Sequence, residues 1–148
     1  MKVLMVCLGN ICRSPLAHGI LQHKAPKDWV VDSAGTSGWH EGERPDTRSI
    51  ITARKHGIDI DHQRSRQVTV SDFYDYDLIF AMDSSNHSNL MQLAPDERSK
   101  QKIRLIMNEA YPEQNRQVPD PYTGGEEGFE SVFLMLEESI QTFLHKHI

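Results

Sequence analysis

The chain has 148 residues, 38% of them apolar, and a formal net charge of −5. That length lets one domain bury a core without metal or disulfide staples, and its 16 Lys and Arg are spread along the chain, which argues against a nucleic-acid surface. The only two cysteines, Cys7 and Cys12, form no disulfide framework. The N-terminal apolar run is too short for a signal peptide and no segment is long enough to span a bilayer. We therefore expect a reduced, cytoplasmic monomer without a membrane partner.

In chain order, Lys2 to Val6 reads as a short buried strand ending at Cys7. Leu8, Gly9, Asn10, Ile11, Cys12 and Arg13 follow as a loop, and Ser14-Pro15 begins a helix that runs to about Lys24 with Leu16 and Ile20 inward. Trp29 to Asp32 is the next strand, ended by Ser33-Ala34-Gly35, and Thr36 to Pro45 is a loop carrying Gly38, Trp39 and Gly42. Asp46 caps a helix that runs to His56 and stops at Gly57. Ile58 to Gln67 reads as irregular, Ser71 to Tyr76 as a short helix and Asp77 to Met82 as a third strand. Ser84 caps a helix to about Leu93, Pro95 breaks it, and Lys102 to Met107 is the fourth strand.

The last helix has the clearest period. Phe129, Val132, Phe133, Leu136, Ile140, Phe143 and Leu144 form one apolar stripe, with glutamates in the first turns and His145, Lys146 and His147 in the last. Strands alternating with helices imply parallel βαβ units in a single α/β domain covered on both faces. Ligands in such sheets bind beyond the carboxyl ends of the strands, where the loop after Cys7 falls.

That loop has chemical meaning. A helix N-terminus exposes unsatisfied N–H groups and the positive end of the helix dipole, so it binds anions and phosphate above all. A thiol in the same field, beside Arg13, is the kind that ionises readily, which makes Cys7 a candidate nucleophile. Arg13 offers a planar fork for two phosphoryl oxygens, and Gly9 lets the backbone turn its N–H groups inward. A second segment, Val118 to Gly124 (VPDPYTG), holds Asp120 between two prolines with Tyr122 two residues on. An acid there can protonate a leaving oxygen and, once ionised, take a proton from water. Taken alone, this segment also reads as a plain turn.

At these residues the chain resembles a known family: CLGNICRSP is similar to the phosphate-binding loop, and Asp120-Pro121-Tyr122 to the general-acid segment, of the low-molecular-weight protein tyrosine phosphatases. The resemblance implies a four-stranded parallel sheet flanked by helices, and hydrolysis of phosphotyrosine and small aryl phosphates through a cysteinyl phosphate. It implies Cys7, Arg13 and Asp120 as catalytic residues and the loop from Leu8 to Cys12, with Ser14, as the phosphate site. It also implies that Ser14 hydrogen-bonds the nucleophile, that Asn10 holds the loop shape braced by Ser33 and His62, and that Trp39 and Tyr122 wall an aromatic substrate. Plain structural readings stand beside these: Ser14 as a helix cap, Ser33 as a strand end, His62 as one surface histidine among eight, Trp39 as a loop anchor. Cys12 either forms a reversible disulfide with Cys7, as the family allows, or packs under the loop. Thr123 stands where some relatives carry a second tyrosine.

No cofactor is called for, and the spacing of the cysteines offers no zinc site. The expected partner is a phosphotyrosine-containing protein, a tyrosine kinase among the candidates. Rival readings are weaker on named residues: an arsenate reductase of this fold needs further cysteines, a cysteine phosphocarrier needs neither Arg13 nor Asp120, and a binding module needs no intact Cys7. A phosphoarginine phosphatase remains close, but such relatives tend to carry threonine where Ile11 stands.

Overall fold

A computed structural model describes residues 1–148. Strands β1 (Lys2–Cys7), β2 (Val30–Gly35), β3 (Leu78–Ala81) and β4 (Ile103–Leu105) form one sheet in the order β2-β1-β3-β4, every neighbouring pair parallel. The helices are α1 (Arg13–Lys24), α2 (Thr47–Lys55), α3 (Asp72–Asp75), α4 (Ser84–Leu93), α5 (Glu97–Lys100) and α6 (Glu126–His147). None is long and apolar enough to cross a membrane.

The β1 side chains show why both faces must be covered. Val3, Met5 and Cys7 enter the core shared with α1, α2 and α6, while Leu4 and Val6 enter a second core with Phe73 and Leu90 on the other side. Alternation along the strand assigns the two sets to opposite faces. All seven members of the expected α6 stripe are buried, and Phe143 meets Phe80 of β3 edge to face at 5.1 Å. From β1 the chain crosses to β2 on one side, and β3 joins on the other. The carboxyl end of β1 therefore lies at the point where strand order reverses, the crevice position of open α/β sheets.

Several element ends differ from the sequence expectation. β2 extends through Ser33, Ala34 and Gly35, which pair with Met5, Val6 and Cys7. A side chain on Gly35 would bring its Cβ within 2.7 Å of the Leu8 carbonyl oxygen, so glycine is required for the strand to pass beneath the loop. β4 is shorter than Lys102 to Met107 because Ile106–Asn108 turns into a 3₁₀ helix. That turn swings Ile106 and Met107 into the α6 core while Ile103 and Leu105 face the other core. Asp83, not Ser84, caps α4 by accepting from the Asn86 N–H, and α5, which has no periodic signal, is capped by Asp96. Asp46 caps α2 as expected, and Gly57 follows with φ of 77°.

Candidate active site

The loop from Cys7 to Arg13 turns its carbonyls outward and its amides inward. The Cys7 and Leu8 carbonyls accept from the N–H groups of Thr36 and Ser37, the Gly9 carbonyl from Ser65 Oγ, the Ile11 carbonyl from the Asp46 N–H and the Cys12 carbonyl from Ser49 Oγ. None of the backbone N–H groups from Leu8 to Cys12 donates to an acceptor in the protein. Five consecutive donors are thus left free in the loop that lines the cleft, a nest suited to an anion.

Asn10 makes that shape possible. It is the left-handed residue of the loop, with φ of 57°. Its side chain secures the turn by donating from Nδ2 to Ser14 Oγ at 2.7 Å and to Ser33 Oγ at 3.0 Å, while Oδ1 accepts from the Arg66 N–H. Gly9 does not take a positive φ; its missing side chain instead leaves room for the His40 ring, whose Cδ2 would lie 3.0 Å from an added Cβ. Ser33 braces Asn10 as expected, but His62 is exposed and makes no hydrogen bond. The histidine at the bracing point is His18, whose Nδ1 lies 3.2 Å from Ser33 Oγ. Its burial pushes the imidazole below its ordinary range, against the nearby Asp32 carboxylate.

The nucleophile candidate sits at the floor of this nest. Cys7 Sγ lies 3.0 Å from Ser14 Oγ, and because that oxygen accepts from Asn10, its own hydrogen is left for the sulfur. Ser14 is therefore a sulfur ligand inside the first turn of α1 and makes no capping hydrogen bond. Arg13 is 3% exposed, so its charge must be balanced. Nη1 donates to Asp83 Oδ2 at 2.6 Å and to the Val118 carbonyl at 2.9 Å. Burial works against the cation, but Cys7, Asp83 and Asp120 outweigh it and raise its pKa. The Nε–Nη2 edge has no hydrogen-bond partner and is the edge that can hold two phosphoryl oxygens.

Across the nest stands Asp120, with Oδ2 3.9 Å from Arg13 Nη2 and Oδ1 accepting from the Tyr122 N–H at 3.0 Å. Cys7, Leu8, Gly9, Ile11, Cys12 and Arg13 floor a cleft of about 220 Å³, and Trp39, His40, Asp120 and Tyr122 wall it. Trp39 is 77% exposed, which makes it a wall of the cleft and not a buried anchor. Cys12 is a free, buried thiol whose pKa is raised by its burial and then by the nearby Asp46, Cys7 and Asp120 charges. It lines the floor of the cleft as a neutral thiol. No group of three or more His, Cys, Asp or Glu side chains is placed to hold a metal ion.

The sequence reading missed Asp83, His18, His40 and Arg48. Asp83 had a legible signal, a carboxylate just past the end of the strand beside β1. His40 sits next to Trp39 and could have been read with it. Nothing local marks His18 or Arg48.

Comparison with known proteins gives the family. Residues 2–148 match the family model for low molecular weight phosphotyrosine protein phosphatases. The chain is 41% identical to the low molecular weight phosphotyrosine protein phosphatase of Schizosaccharomyces pombe, over 97% of this chain and 94% of that one. Among solved structures, a protein tyrosine phosphatase from Entamoeba histolytica with Hepes in its active site superposes with a TM-score of 0.91 at 40% identity, covering 99% and 96% of the two chains. A Drosophila arginine phosphatase superposes equally well, with a TM-score of 0.91 at 37% identity over 99% and 98%. With the family model matching nearly the whole of it, this chain belongs to the low molecular weight phosphotyrosine protein phosphatases, a family of hydrolases.

Proposed function

We propose that the protein hydrolyses phosphotyrosine, and small aryl phosphates, through a cysteinyl phosphate. The observation that carries this reading is the amide-in loop with Cys7 Sγ at its floor and Asp120 across from it. The non-bridging oxygens of a phosphate monoester accept from the loop amides and from the free edge of Arg13, which places phosphorus over the sulfur. The Cys7 thiolate forms an S–P bond as the P–O bond to the aryl group breaks, and Asp120 gives its proton to the departing oxygen. Water then attacks phosphorus, its proton passes to the Asp120 carboxylate, and the S–P pair of electrons returns to sulfur. Ser14 donates to that sulfur, which stabilises it both as attacking and as leaving group.

Trp39 and Tyr122 flank the cleft as an aromatic ring would require, which favours a tyrosine phosphate in a protein. A nucleophile that must stay reduced suits a reducing compartment such as the cytoplasm. A tyrosine kinase carrying phosphotyrosine is one substrate of the right chemistry. The similarity to an arginine phosphatase keeps phosphoarginine as the second reading.

An EDTA-treated assay on phosphotyrosine, phosphoserine and phosphoarginine peptides tests this, with Cys7→Ser as control. The expected result is turnover of phosphotyrosine alone and none by Cys7→Ser. Turnover by the serine variant would sink the mechanism, and preference for phosphoarginine would move the substrate to the second reading.

A further inference from the structure

The loop that carries Asp120 has little of its own to hold it. Between Pro119 and Gly124 two hydrogen bonds are internal, from the Tyr122 N–H to Asp120 Oδ1 and from the Gly124 N–H to the Pro121 carbonyl. The only two that leave the segment come from one side chain. Arg48, in the first turn of α2, donates from Nη2 to the Tyr122 carbonyl at 2.8 Å and from Nη1 to the Gly124 carbonyl at 2.9 Å. The guanidinium is fixed on its other edge, where Nε and Nη2 meet Asp46 Oδ1 and Oδ2 at 3.1 and 3.0 Å. Its Cζ also lies 4.5 Å from the centroid of the buried Phe129 ring.

The same turn holds the other half of the site. The Asp46 N–H donates to the Ile11 carbonyl at 2.7 Å and Ser49 Oγ to the Cys12 carbonyl at 3.2 Å. A continuous path of hydrogen bonds therefore runs from the phosphate loop through Asp46 and Arg48 to the acid segment. We propose that Arg48, clamped by Asp46, is a positioning residue that sets the place of Asp120 relative to Cys7, so that the proton reaches the departing oxygen. The proposal rests on Asp120 being the general acid. A planar fork is needed, because one side chain must meet a carboxylate and two carbonyls at once; a lysine ammonium cannot reproduce that array. Burial works to raise the Asp46 carboxyl, but the Arg48 hydrogen bonds outweigh it and hold the group below its ordinary range, so the clamp stays charged.

The test uses aryl phosphates of graded leaving-group basicity and reads kcat/KM, which reports the step forming the cysteinyl phosphate. Arg48→Gln is expected to lower kcat/KM by about tenfold to a hundredfold for the most basic leaving group and by less than about threefold for the least basic, the signature of a misplaced acid. Placed on Asp120→Ala, the same change should cost less than about twofold, since there is no acid left to place. Arg48→Lys should behave like Arg48→Gln. A loss equal for all leaving groups, full additivity with Asp120→Ala, or complete rescue by lysine would each overturn the proposal. Thermal unfolding of each variant is followed in parallel, and should Arg48→Gln fail to fold, Arg48→Lys carries the same two readouts. An Asp120→Ala enzyme without leaving-group dependence would instead overturn the mechanism on which the proposal rests.

Discussion

The two halves of the site are built on opposite plans. The phosphate loop is mostly buried, and its carbonyls and side chains are hydrogen-bonded to residues from five other parts of the chain: Ser33, Thr36 and Ser37; Asp46 and Ser49; Ser65 and Arg66; Asp83; and Val118. The acid segment is largely exposed, with Tyr122 at 49%, and apart from the buried Pro121 its hydrogen bonds from outside all come from one arginine, Arg48. The contrast fits the chemistry. An anion site must present five donors in fixed positions before substrate arrives, because donors that reorganise during reaction stabilise the transition state less. A proton donor needs one correct placement and access to water for the second step.

The comparison can be broken at each half. Asp120→Ala should lower kcat/KM by about 10²- to 10⁴-fold on a poor leaving group, the scale of general acid–base catalysis; a loss under tenfold would remove Asp120 from that role. Arg13→Lys should cost about 10²- to 10³-fold on every aryl phosphate regardless of leaving group, because the fork serves phosphate and not the departing oxygen. Steady-state kinetics across one substrate series checks both, and a leaving-group trend in Arg13→Lys would contradict the division of labour.

Smaller effects sharpen the claim that the phosphate loop is rigid. Asn10→Ala puts an alanine at a positive φ and leaves Ser14, Ser33 and the Arg66 N–H without their partner, so unfolding should be easier by about 2–3 kcal/mol. Asn10→Gly relieves the backbone strain only, and urea titration should place it between alanine and the native residue. A glycine variant no better than alanine would show that strain contributes little. The weakest effect is one of pH. The buried His18 has a depressed pKa with Asp32, His62, Gln22 and Arg66 around it. Below the ordinary imidazole value of about 6.5 the unfolded chain takes up a proton that folded His18 resists. Stability is therefore full above that value and is lost as pH falls toward the folded pKa. Denaturant titrations between about pH 7.5 and about pH 5 should show this slope in the native protein and a shallower one in His18→Gln.

Much of this was legible beforehand, for local reasons. The strand before Cys7, the α6 stripe and the Asp46 cap each depend on residues a few positions apart, and the chemistry of a thiol, an arginine and a proline-held aspartate is readable from residue types. His62 was misread for the opposite reason. It and His18 are both lone histidines in sequence, and only packing decides that one is exposed while the other sits under Ser33.

By itself the sequence determined the α/β alternation and the loop at the end of β1 that joins a thiol, a glycine and an arginine, because each is a local pattern of polarity, backbone freedom or ionisable chemistry; the pairing of Asp120 with that loop came only through the family resemblance. Tertiary structure alone decided how those groups are held. Asp83 balancing Arg13, His18 and Arg66 securing the Asn10 brace, and Arg48 gripping the Asp120 segment all join residues that are distant in the chain, and a hydrogen bond depends on distance in space.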